Sequence, residues 1–288
     1  MTLARNLQTI LTFTVAFATL SMSACSMRNM YNYLDWIIPF YIDDYVTLTD
    51  QQEKIFDRVT IQFLRWHRTE ELPRYERFII SFKDAQTTPV SQDQILLLFD
   101  DAEALWTALL KESMPSLLEL SVDLNEKQLQ EIDYALVFDI KELQNKYGNR
   151  NEIQRRAFLR DKMSDAMVDW LGRVTVEQAE MIQLWSATIE NTTDDWLAYR
   201  NNWRQKFMEL LYNRHASNYI ADMSFFLLKP QKIYTASYRQ AVLENRRHFA
   251  QFLADISTTF TPQQREHLQH ELVEIIDDLK ELTPVNGK

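Results

Sequence analysis

Histidine and carboxylate side chains at helical spacing are the first candidates for chemistry in this chain. His67 and Glu71 stand four residues apart, as do Glu70 and Arg74, so each pair lies on neighbouring helix positions and can interact. Joined by Asp35, Asp43 or Asp44 from the preceding segment, His67 and Glu71 could form a metal site or a general acid–base pair. A metal needs three or four converging ligands, and this helix supplies only two or three. The same residues would equally serve as a hydrogen-bonded polar cluster fixing a kink at Pro73, and that structural role is the expectation. His267 and His270, beside Glu271 and Glu274, lack the H-E-x-x-H pattern and suit a solvated helix face. No nucleophile elbow is present, and the only thiol is Cys25. No catalytic residue, metal site or cofactor is therefore assigned.

The elements that would position these residues follow from composition. Three glycines in 288 residues, Gly148, Gly172 and Gly287, fall far below the ~7% of average usage. Hairpin turns need glycine where φ is positive, and Rossmann and phosphate-loop fingerprints need it for close backbone approach. The expected fold class is all-α, a single extended helical-bundle domain. Hydrophobic residues make up 46% of the chain, enough for a sizeable core. Residues 1–24 carry one charge, Arg5, so the remainder holds 30 basic and 41 acidic side chains, net −11. That balance argues against nucleic-acid binding, which relies on Lys and Arg at phosphates.

Helix starts can be placed from a recurring pattern. Thr49 with Gln52, Ser91 with Gln94, Asn125 with Gln128, Thr175 with Gln178 and Thr261 with Gln264 each follow an apolar residue and stand three apart. In such a capping box the first side chain accepts the N3 backbone N–H, and the glutamine reaches back to the cap. The boxes predict helices starting at 50, 92, 126, 176 and 262, with Pro262 well placed at the first helical position. Apolar periodicity supports the first (Ile55, Phe56, Val59, Phe63, Trp66) and the last (Leu268, Leu272, Ile275, Ile276, Leu279). Residues 233–257 read as a further helix. Trp196, Trp203 and Leu210 read as a core stripe. Pro73, Pro115 and Pro230 are expected to interrupt or end helices, and Gly148 and Gly172 to close them. The boxes also resemble the LTxxQ motif of small periplasmic stress proteins, although their spacing is too uneven for a regular solenoid.

The first 25 residues have a different character. Arg5 precedes an apolar run, Leu7 to Leu20, and small residues close it, the order of a secretory signal peptide. The run is short of the ~20 residues a membrane span needs. Leu20-Ser21-Met22-Ser23-Ala24-Cys25 resembles the lipobox of bacterial lipoproteins, with Met22 where leucine is usual. The resemblance implies that residues 1–24 are removed and that Cys25 becomes an acylated N-terminus anchored in membrane lipid. Residues 25–47 would then be a lipidated anchor and aromatic juxtamembrane segment, and residues 48–288 the helical domain. Ser26, where inner-membrane retention usually needs Asp, points to the outer membrane, periplasmic side. The segment Met30–Tyr45 holds six aromatic residues that could rest at the bilayer interface. Asp35, Asp43 and Asp44 favour packing onto the helical body instead.

Tyr33-Leu34-Asp35-Trp36, Asp43-Asp44-Tyr45, Leu48, Gln52, Trp66-His67-Arg68 and Glu71-Leu72-Pro73-Arg74-Tyr75 together are similar to a family of Gram-negative lipoproteins of unknown function. That resemblance implies a lipidated envelope protein and no particular activity. The expected function is a non-catalytic binding or scaffold module that holds a partner envelope protein. The alternatives are a lipid or amphiphile carrier, or a metal-dependent envelope enzyme using the His67 cluster.

Overall fold

The computed structural model describes residue 28, residues 30–85 and residues 89–284. Cys25 and residues 1–24, expected to be a signal peptide, lie outside the described residues. Among those described, 85% are helical, in eleven α-helices with no strand, so the all-α helical bundle stands. In chain order the helices are α1 (Leu34–Asp43), α2 (Asp50–Trp66), α3 (Leu72–Ala85), α4 (Gln92–Val122), α5 (Glu126–Leu143) and α6 (Glu152–Leu171). They continue as α7 (Val176–Thr188), α8 (Thr193–Tyr212), α9 (Tyr219–Leu228), α10 (Ala236–Ser257) and α11 (Pro262–Leu282).

All five capping boxes form, with helices beginning where the pattern places them. A sixth, Asn151 with Gln154, starts α6 and follows no apolar residue, which is why the pattern passed over it. Four of the six boxes do more than cap, because they close on one another in pairs. Gln52 donates to the Gln128 side chain at 3.3 Å and Gln128 donates back at 2.7 Å. Gln128 also donates to the carbonyl of Thr47, and Gln52 to that of Asp123, each two residues before the partner's cap. The same geometry recurs between Gln178 and Gln264, at 3.0 and 2.8 Å, with Arg173 and Thr259 supplying the carbonyls. Each amide thus accepts at least two hydrogen bonds and donates at least two, which fills its capacity. All four glutamines are buried, while Gln94 and Gln154 are exposed. Complete satisfaction is what allows four uncharged polar groups to sit inside the protein without a desolvation penalty.

The described residues form two large apolar cores. One joins Met163, Trp170, Ile182, Trp185, Phe249, Ile256, Leu272 and Leu279. The other core joins Met114, Leu118, Leu129, Leu136, Met208, Leu211 and Met223. A smaller cluster of Leu143, Trp196, Leu197, Tyr199 and Tyr238 packs alongside. The 31-residue α4 serves both large cores, giving Ile95 and Phe99 to one and Met114 and Leu118 to the other.

The prolines behave differently from expectation. Pro115 lies inside α4 without ending it. Its missing N–H would have bonded the carbonyl of Lys111, an exposed residue, and the buried Met114 and Leu118 hold the helix on both sides. Pro73 follows a single π-helical turn, His67–Glu71, closed by the Leu72 N–H on the His67 carbonyl. A π turn is wider than an α turn, so the ring fits and the chain stays helical from α2 into α3. Pro230 opens a short 3-10 turn. Gly172 takes the left-handed conformation at the end of α6, φ 73°.

Candidate functional site

The π turn places His67 and Glu71 within the body. The Tyr31 hydroxyl and His67 Nδ1 are hydrogen-bonded at 2.7 Å, and the rings of Tyr31, Phe63, Trp66 and Tyr75 surround the imidazole at 5.4–6.4 Å. Burial in this aromatic cage, with the Arg68 charge nearby, brings the His67 pKa down to about 4. Burial pushes Tyr31 up to about 12. Both groups are therefore neutral near pH 7, a state suited to packing and hydrogen bonding. Glu71 is 0% exposed; its Oε1 accepts from Arg74 Nη1 at 2.5 Å. Its Oε2 has no hydrogen-bond partner among the described residues. The Arg74 side chain, 41% exposed, reaches an open groove it shares with Asp100, Glu103, Thr107 and Lys111.

The six residues of the expected cluster therefore separate. Glu71 and Arg74 form an ion pair, His67 joins Tyr31, and Asp35, Asp43 and Asp44 are exposed on or just after α1. Among the described residues no three His, Cys, Asp or Glu side chains gather as a metal would require. His267 bonds the Asp169 carbonyl at 3.2 Å and lies 3.8 Å from Glu271 on the face of α11.

The depressed His67 pKa makes a prediction. In the unfolded chain the imidazole takes up its proton near pH 6.5, in the folded chain only near 4. Between these values the unfolded state binds more protons, so this contribution is complete above about pH 6.5 and is lost as pH falls towards 4. After discounting for partial solvent contact, the loss is about 2 kcal/mol. Urea unfolding at pH 7 and pH 4.5 should show a smaller acid-dependent loss in His67→Gln than in the wild type. Equal slopes in the two proteins would refute the assignment.

The start of the body shows a contact that spacing in the sequence could not reveal. Arg28 Nε pairs with Asp278 at 2.7 Å, and its Nη1 reaches Glu281, both on α11. The Asp278 side chain is buried. Further along, the Tyr45 hydroxyl donates to Asp139 at 2.6 Å and the Thr47 N–H to Glu131 at 2.9 Å. The aromatic segment between these ties is two-faced. Tyr31, Ile42 and Tyr45 pack inward, whereas Tyr33, Trp36 and Phe40 are 63%, 70% and 59% exposed.

These features define an all-helical bundle organised around paired glutamine clasps. Residues 44–239 match the family described as a family of unknown function (DUF6279), and the chain belongs to that family. No curated protein and no solved structure matches it. No described helix is long and apolar enough to cross a membrane.

Proposed function

We propose that this protein is a lipid-anchored envelope protein whose helical body holds a partner protein without turning over a substrate. The observation that carries the reading is Cys25, the chain's only cysteine, at the small-residue end of an apolar run. An unmodified lone thiol in an oxidising compartment invites intermolecular pairing, and conversion to a thioether removes that hazard. Ser26 supports the outer membrane, facing the periplasm. A binding role is supported by an exposed apolar stripe on α5, Tyr134, Val137 and Phe138, at three- and four-residue spacing. The half-open pocket beside Tyr147, Phe158 and Trp196 is about 100 Å³, and the larger, more open groove of about 610 Å³ is lined by Arg74, Asp100, Glu103 and Lys111. An open, charged groove suits a protein surface better than an amphiphile cargo, whose site is mostly apolar. His67, caged by aromatic rings with its Nδ1 hydrogen-bonded to Tyr31, favours a structural over a metal-dependent catalytic role.

Metabolic labelling with a tagged fatty acid tests the anchor. The wild type should carry the label in the membrane fraction, and Cys25→Ala should not. Equal labelling of the two, or labelling of neither, would overturn it.

A further inference from the structure

We propose that the ridge of Met30, Tyr33, Trp36 and Phe40 rests on the lipid surface, so that the body lies against the bilayer and does not swing on a tether. This inference builds on the lipid anchor at Cys25 and adds an orientation. Three observations converge on it.

The first is the ridge. Residues 30, 33, 36 and 40 recur at three- and four-residue intervals along one helical stripe. All four are exposed, and the Trp36 and Phe40 rings stack with centroids 6.0 Å apart. The opposite face is already occupied, by His67 against Tyr31 and by the second core against Ile42 and Tyr45. Helix α1 contains no buried residue, unusual for a sequence as apolar as Leu34-Asp35-Trp36-Ile37-Ile38-Pro39-Phe40.

The second is reach. Arg28 is held to α11 by Asp278 and Glu281, and it stands three residues after Cys25. Three residues span at most about 11 Å, so an acylated Cys25 cannot stand farther than that from the body. The ridge begins two residues beyond Arg28. A bilayer is thus the surface that this chain's own connectivity brings nearest.

The third is chemistry. Trp and Tyr are the side chains favoured at the membrane–water boundary, and a helix lying there buries its apolar face about 5–10 Å into the headgroup region. Helix α1 carries Asp35 and Asp43 and no basic residue, so the contact must be apolar and indifferent to salt. It should favour zwitterionic over anionic lipid.

Depth-dependent quenching tests the inference on the lipidated protein, in which the Cys25 sulfur is spent and an introduced thiol is unique. Trp36→Cys, Phe40→Cys and Val176→Cys are each labelled with an environment-sensitive fluorophore and reconstituted in phosphatidylcholine vesicles containing nitroxide lipid. Val176 is exposed and lies near Gln264, about 25 Å along α11 from the Arg28 contact. Labels at 36 and 40 should lose about half their emission, at low and high salt alike, while the label at 176 keeps its own. Protein that floats with the vesicles but is quenched equally little at all three positions would overturn the docking and leave the anchor standing. Failure to float would overturn the anchor, and the docking with it.

Discussion

Gln178→Glu should destabilise the protein by about 3–5 kcal/mol, the scale of an uncompensated charge in a buried site. The substitution changes few atoms but reverses the hydrogen-bonding logic. Gln178 Nε2 now donates to Gln264 Oε1 and to the Thr259 carbonyl; a carboxylate would set oxygen against oxygen at both contacts. Gln52→Glu should act alike, facing Gln128 and the Asp123 carbonyl. Gln94→Ala and Gln154→Ala, from boxes of the same form with exposed glutamines, should cost about 1 kcal/mol or less. Against a typical total of 5–15 kcal/mol, urea unfolding will separate the two classes readily. Similar losses in all four variants would mean that the clasps contribute no more than ordinary caps.

Removing Arg74 should produce the second large effect. Arg74→Met leaves Glu71 wholly buried with neither carboxylate oxygen paired, at a cost of about 3 kcal/mol. Glu71→Gln removes the charge as well and should cost less, about 1–2 kcal/mol. The double replacement Glu71→Leu with Arg74→Met should recover part of the loss, since both partners of the ion pair then leave together. Divalent metal should leave the melting temperature of each protein unchanged. A metal-dependent rise in the wild type that His67→Ala abolishes would instead assign this cluster a binding role.

The helix starts were legible because a capping box is local chemistry: two side chains three positions apart and the backbone they bend back on. Which boxes meet was not legible. Gln52 and Gln128 are 76 residues apart, Gln178 and Gln264 86, and Gln94 follows its serine in the same way while staying in water. Pairing is decided by which helix ends the two cores bring together, and no short pattern encodes that. Prolines 73 and 115 misled for a related reason. Their local effect is to break helices, yet a π turn and flanking core residues absorbed it. His67 and Glu71 stood out as neighbours at helical spacing, but their partners, Tyr31 and Arg74, divide them between an aromatic cage and an ion pair. The aromatic segment posed a choice between packing inward and facing lipid. In the folded chain Tyr31, Ile42 and Tyr45 pack inward while Tyr33, Trp36 and Phe40 stay exposed, because neighbouring positions on a helix point to different sides.

The family match ends at residue 239, near the start of α10, while the folding unit continues well past it. Helix α11 packs along α3 and α6, completes the second clasp through Gln264 and gives Leu268, Leu272, Ile275, Leu279 and Leu282 to the first core. A fragment cut to residues 44–239 would strip Gln178 of its Gln264 partner and leave Met163, Trp170, Ile182 and Trp185 facing water. Such a fragment should aggregate on expression, and a boundary drawn by family resemblance would be mistaken for an unstable protein. Removing α11 would damage the fold because it supplies five aliphatic side chains to the first core.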